Sequence, residues 1–154
     1  MKLVKKTNKG FQYELNQEDV HSLRFLLKQF PISALSRVAI SKTDTEAIER
    51  EKLLNESLAA HREELKRKAQ NLASADKFKV SGGSQSYSIS LEAREAMLQI
   101  LNDIRVESWR SLGEPENLEM NILNLSKEKV RYYHLMHVAG YFEYHFLNLE
   151  EGGK

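Results

Sequence analysis

The sequence predicts an α+β, mostly helical single domain, in which about four main helices pack around the C-terminal helix and a β-hairpin lies at the N-terminal end. Three patterns indicate this fold. Apolar and polar residues alternate over residues 11–15, as in a half-buried strand. Apolar residues recur at a three-four spacing in several later segments, as on the buried face of a helix. The apolar stretch at residues 126–149 is predicted to be the helix on which the others pack.

The predicted hairpin spans residues 1–15. Its turn is placed at Asn8-Lys9-Gly10, because glycine can adopt the positive φ of tight turns. Its lysines fit an edge strand, where they prevent pairing with another sheet. Binding of nucleic acid is the unlikelier alternative, since no stacking aromatic residues or arginines interleave with the lysines. The lysines concerned are Lys2, Lys5, Lys6 and Lys9.

Residues 16–75 are predicted to be helical. Asn16 is a favourable N-cap residue, and Pro31 ends the first helix because the residue before a proline disfavours helical geometry. A long charged helix is expected to follow and to reach about residue 75. Its narrow apolar stripe fits a solvated surface helix, with contact to a partner chain as the alternative. The stripe comprises Ile48, Leu54, Leu58, Leu65, Ala69 and Leu72.

Residues 76–89 are predicted to form a flexible loop or a short hairpin. The run of serine and glycine at residues 81–86 favours the loop, whereas the apolar residues on both sides of it fit two short strands. The glycines lack the lysine and the spacing of a phosphate-binding loop.

Residues 90–149 are predicted to form the helical core, with a polar tail at 150–154. Ser90 caps the first helix of this core, and Gly113 is a favourable residue just beyond its end. Ser126 caps the last helix. The apolar stripe of that helix is expected in the core and comprises Tyr132, Leu135, Ala139, Phe142, Phe146 and Leu149.

The last helix also carries a glycine in its middle, Gly140. A glycine in an exposed helix is less favourable than alanine by about 1 kcal/mol. We therefore expect another backbone to approach the helix closely at this point.

A second stripe of the last helix carries the first candidate site residues, His134, His137, Tyr141 and His145. We expect them to line a partly wet groove or to face the preceding helix at residues 102–105. The chain has no H-E-x-x-H motif, and no acidic ligand lies nearby on this stripe, so neither a metal nor a cofactor is predicted. A small metal-dependent or hydrolytic enzyme that uses these histidines is the alternative.

Three polar residues in the middle of the preceding helix form the second candidate, Asn102, Asp103 and Arg105. Asp103 is expected to pair with an arginine of another segment, such as Arg131 or Arg24. A buried polar network that fixes how the last two helices pack is favoured over catalysis.

The composition excludes several classes of function. The chain has no cysteine, which removes disulfides, thiol nucleophiles, iron–sulfur clusters and cysteine-based zinc sites. It has no uncharged apolar run of about 18 residues and no signal-peptide core, so a soluble cytoplasmic protein without a membrane span is expected. The net charge of +1 provides no overall field for nucleic acid. No G-x-S-x-G motif is present, and no catalytic residue is predicted.

One resemblance rests on residues 101–105, which read LNDIR, on Leu112-Gly113 and on the aromatic-rich last helix with Gly140. In these features the chain resembles a family of uncharacterised bacterial proteins, best populated in actinobacteria and described as a domain of unknown function. The likeness covers most of the chain, although residues 33–75 depart from the family's pattern. The family carries no established activity. Some members are encoded beside an adaptor of the Clp protease, which implies a link to bacterial proteostasis.

Taken together, these features predict a non-catalytic protein-interaction or adaptor module. The expected partner is another protein or a second copy of the chain, bound through the long charged helix or the last helix. The enzyme and the nucleic-acid-binding protein described above are the alternatives.

Overall fold

The computed structural model describes residues 1–32, 45–116 and 124–149. Its elements are β1 (Lys2–Thr7), β2 (Gly10–Leu15), α1 (Gln17–Lys28), α2 (Thr45–Leu72), a 3-10 turn (Ala75–Lys77), β3 (Phe78–Ser81), β4 (Ser84–Ser90), α3 (Leu91–Ser111) and α4 (Lys127–Leu147). The predicted α+β, mostly helical class with an N-terminal hairpin is confirmed. The predicted helical region between residues 33 and 44 and the predicted tail at 150–154 lie outside the described residues.

The strands form one antiparallel sheet in the order β1-β2-β4-β3. Of the two alternatives for residues 76–89, the short hairpin is the one formed, as β3 and β4. The sequence did not indicate that β4 also pairs along β2, with Tyr13 opposite Tyr87. This pairing adds the second hairpin to the first and makes β1 an edge strand, where exposed lysines prevent further pairing.

Gly10 has a role that differs from the predicted one. Gly10 was expected to adopt a positive φ, and this prediction is wrong. Among the glycines of the described residues, those with a positive φ are Gly82 and Gly113. A β-carbon on Gly10 would instead overlap the backbone carbonyl oxygen of Ile89 and lie 3.0 Å from the Cα of Ser90. Glycine is therefore needed here because β4 approaches very closely.

An aromatic cluster joins α4 to the sheet. The ring of Phe146 lies edge-on to Tyr13, with 5.0 Å between the ring centroids and 74° between the ring planes. A similar contact to Tyr87 has a centroid distance of 6.4 Å. Arg94 on α3 donates two hydrogen bonds to the Phe146 carbonyl oxygen, at 3.0 and 2.7 Å. Leu149, predicted in the same stripe, is 48% exposed because α4 ends at Leu147, so that prediction is wrong.

The helices pack mainly through α3, which runs along α4 and also contacts α2. The buried residues of α2, namely Leu65, Ala69 and Leu72, all lie in its C-terminal part. Further towards its N-terminus the predicted stripe is uncovered, and Leu54 is 58% exposed. Across the described ranges, none of the helices has the combination of length and apolarity that crossing a bilayer requires.

The predicted helix caps are confirmed. The side chains of Asn16, Ser90 and Ser126 each accept a hydrogen bond from the backbone N–H three residues later, at 2.7, 3.0 and 3.3 Å. Gly113, just after the end of α3, has a φ of 91°, which favours glycine.

Candidate functional site

A groove with a volume of about 700 Å³ lies between α3 and α4. Its lining combines apolar side chains, polar side chains and the backbone of α4 at Gly140. Trp109 donates a hydrogen bond from Nε1 to the carbonyl oxygen of Pro115 at 3.0 Å, which ties the segment after α3 to the groove. The groove is lined by Asn102, Arg105, Val106, Trp109, Pro115, Glu116, Met136, His137, Gly140 and Tyr141.

Gly140 has the most informative position in this groove. The predicted close approach of another backbone is wrong: the nearest atom to a β-carbon placed on Gly140 would be Nε of the Arg105 side chain, at 3.7 Å. Arg105 itself forms an ion pair with Glu143 on α4, with 2.8 Å between Nη1 and Oε2. A methyl group would fit at position 140, so packing does not require glycine there.

The structure separates the candidate histidines. His137 and Tyr141 line the α3–α4 groove. His134 lines a different groove, between α1 and α4, beside Phe25. His145 packs its ring on Tyr141, with 4.5 Å between the centroids. Within the ranges that the structure describes, no group of three His, Cys, Asp or Glu side chains is arranged to hold a metal ion.

Tyr141 connects the groove to α1. Its hydroxyl donates a hydrogen bond to Oδ1 of Asp19 at 3.2 Å. Burial raises the pKa of this hydroxyl, and the Asp19 carboxylate raises it further, so Tyr141 remains protonated as a donor. Burial lowers the pKa of the neighbouring His145, and the nearby N-terminal ammonium lowers it further. The hydrogen bond to Asp19 on α1 holds Tyr141 in place as one wall of the groove.

The three polar residues of α3 point in two directions. Arg105 lines the groove towards α4, and Asp103 lines a cleft between α3 and α2. Asn102 lies between them and lines both. The two arginines expected as its partners donate elsewhere, Arg24 to a backbone carbonyl and Arg131 to a glutamine side chain.

The sequence reasoning missed Glu107, which is 2% exposed. Its Oε1 accepts hydrogen bonds from Nη2 of Arg62 and Nη1 of Arg110, both at 3.2 Å. A signal was present: Glu107 follows Asp103 by four residues, which places both carboxylates on one face of α3. Arg62 likewise stands three residues before the buried Leu65 of α2, on nearly the same face.

The burial of Asp103 affects its protonation. Burial raises the pKa of its carboxyl and the Glu107 carboxylate raises it too, while the Arg62 guanidinium opposes them. A folded-state pKa above the unfolded value means that the protonated group stabilises the fold at low pH. This contribution is lost as the pH rises through the folded pKa.

Asp103→Asn should therefore be more stable than the parent chain at neutral pH, because the amide keeps the shape of the group without a partly buried charge. The difference should shrink as the pH falls below the raised pKa, where the parent carboxyl is protonated as well. Urea denaturation of both chains from pH 4 to pH 8 would measure this. A parent chain that is the more stable one at neutral pH would show that the ionised carboxylate stabilises the fold.

No family model, curated protein or solved structure matches the chain. The resemblance to the bacterial family of unknown function therefore stays a prediction.

Proposed function

We propose that the protein is a non-catalytic interaction module that binds a segment of a partner protein in the α3–α4 groove. The observation that carries this proposal is the open groove above Gly140. A glycine in the middle of a 21-residue helix is less favourable than alanine by about 1 kcal/mol, yet a β-carbon would fit there. Beyond the Arg105 side chain, the space beside position 140 stays open, and a side chain of a partner can lie there.

The lining residues indicate what kind of segment would fit. Trp109 and the flexible Met136 offer an apolar surface for a side chain of the partner, as at the centre of many interfaces. Arg105 and His137 supply polar contacts at the same groove. The bound segment of the partner therefore carries an apolar side chain flanked by carbonyl or carboxylate groups. Some members of the bacterial family that the chain resembles are encoded beside an adaptor of the Clp protease. The proposal therefore includes an adaptor role in bacterial proteostasis.

The alternatives have weaker support. An enzyme based on His134, His137 and His145 would need these side chains in one place, but His134 and His137 line different grooves and His145 packs on Tyr141. Nucleic-acid binding through the hairpin would rest on exposed edge-strand lysines, which protection of the edge already explains.

The proposal is tested with a matched pair of variants at position 140. A peptide library displayed on phage is selected on the parent chain, and the affinity of the selected peptides is then measured by isothermal titration calorimetry. Gly140→Leu should weaken binding by about tenfold or more, since losing an apolar anchor is worth at least about 1.4 kcal/mol.

Gly140→Ala is the control. It should retain binding and raise the free energy of unfolding by about 0.5–1 kcal/mol, because alanine favours the helix and its methyl group fits. Equal affinity of the peptides for Gly140→Leu and the parent would rule out this groove as the binding site. A selection that enriches no binding peptide would count against the proposed module as a whole.

A further inference from the structure

A second groove, of about 430 Å³, lies between α1 and α4, and none of its described lining residues belongs to the α3–α4 groove. The two helices run antiparallel, because Tyr141 contacts Asp19 at one end and Arg131 contacts Gln29 at the other. The volume of the groove is within the usual range of about 300–1,000 Å³ for sites that bind small molecules.

Much of the wall of this groove is apolar. Leu26 and Leu135 are buried, and Val138 is half-buried beside them. Phe25 also lines the groove and is 54% exposed. A single exposed apolar side chain is common on protein surfaces, but this ring adjoins three other apolar side chains in a concave site. The groove can therefore cover the hydrocarbon part of a ligand from both helices.

The charged and titratable side chains of the described lining are all basic, namely Arg131, His134 and His21. The Arg131 guanidinium donates one hydrogen bond, from Nη2 to the neutral Oε1 of Gln29 at 2.9 Å. Among the residues that the structure describes, Arg131 forms no ion pair. Its positive charge therefore has no carboxylate partner, and a guanidinium has several further N–H donors.

This combination of charge and apolar surface selects the kind of ligand. The fork of N–H groups on a guanidinium matches the two oxygens of a carboxylate. His134 stands three residues after Arg131 on α4, so the two side chains are neighbours on the helix surface and can share one anion. Because the apolar residues adjoin these donors, the ligand combines a carboxylate with a hydrocarbon body.

We propose that this groove binds a small free carboxylic acid with a hydrocarbon body. The carboxylate accepts hydrogen bonds from the Arg131 guanidinium and from the ring N–H of His134, and the hydrocarbon body packs against Phe25, Leu135 and Val138. Arg131 already lines the groove while it is bonded to Gln29, so binding requires no rearrangement of the helices. The site does not depend on the peptide-binding proposal, because the two grooves have different residues.

The experiment is isothermal titration calorimetry of the full chain at neutral pH with four probes: 4-phenylbutyrate, 4-phenyl-1-butanol, acetate and Nα-acetyl-phenylalanine. We expect 4-phenylbutyrate to bind saturably at one site. The alcohol lacks the charge and acetate lacks the hydrocarbon body, so each should bind about tenfold more weakly or worse. Tighter binding of Nα-acetyl-phenylalanine, which resembles the C-terminal residue of a peptide, would overturn the assignment to a free acid.

Arg131→Gln removes the charged donor and should weaken the binding of 4-phenylbutyrate by about tenfold or more. Lys129→Gln is the matched control, because it removes a positive charge from an exposed side chain of α4 outside the groove. This control variant should bind 4-phenylbutyrate like the parent chain.

Phe25→Ala tests the apolar wall and should weaken the binding of 4-phenylbutyrate by a similar factor. Because the ring is largely exposed, the fold should persist, and circular dichroism of the variant would verify this. The proposal is overturned if 4-phenylbutyrate does not bind saturably, or if the alcohol binds as tightly as the acid. It is equally overturned if Arg131→Gln or Phe25→Ala binds the acid as tightly as the parent chain.

Discussion

Phe146→Ala should lower the free energy of unfolding by about 3–5 kcal/mol, as expected for removing a fully buried aromatic ring. The ring of Phe146 is 0% exposed and contacts Tyr13 and Tyr87 on two neighbouring strands. Alanine would leave a cavity between α4 and the sheet that the surrounding rings could fill only in part. The change would also remove two edge-on aromatic contacts. Urea denaturation followed by far-ultraviolet circular dichroism would measure the loss.

The adjacent residue provides the control for this change. Leu147 also lies in the last turn of α4 but is 54% exposed. Leu147→Ala should change the stability by no more than about 0.5 kcal/mol, as is usual for surface substitutions. Similar losses for both variants would show that helix propensity, and not the aromatic cluster, determines the stability of this end of α4.

Gly10→Ala should destabilise the fold by about 3 kcal/mol, at the upper end of what an added methyl group causes in a tightly packed region. The new β-carbon would overlap the Ile89 carbonyl oxygen. This neighbour is backbone, and the next one, Ser90, caps α3. Relief of the overlap would therefore require either β2 to separate from β4 or the start of α3 to shift. Thermal denaturation and urea titration of the variant would reveal the effect.

Gly83→Ala is the matched control for this prediction, because a β-carbon on Gly83 would meet nothing within 4 Å. It should shift the stability by no more than about 0.5 kcal/mol. If the two glycine variants are equally stable, the close approach of β4 to β2 does not constrain the sheet as described.

The helices and strands could largely be predicted from the sequence, because they depend on neighbouring residues. Asn16, Ser90 and Ser126 act as caps through bonds to N–H groups three residues away. The alternation at residues 11–15 determines which side chains of β2 face the core, since a strand has a period of two. These are local rules, and they hold before any tertiary contact forms.

The candidate site could be predicted only in part. The helical period placed His137 and Tyr141 on one face of the last helix, and both line the groove. The same period could not show that α1 lies beside His134. On α3, Asp103 and Arg105 are two residues apart and therefore point about 200° apart, so Asp103 faces the cleft towards α2 and Arg105 faces the groove towards α4.

What the sequence by itself determined about this protein is therefore its mostly helical α+β class, its caps and the periodic faces of its elements. Only the tertiary structure decided which faces meet. It paired Tyr13 with Tyr87, buried Glu107 beneath Arg62, and left Gly140 open in a groove. The physical reason is that burial and pairing depend on residues distant in the chain, whereas periodicity and capping involve residues within about four positions.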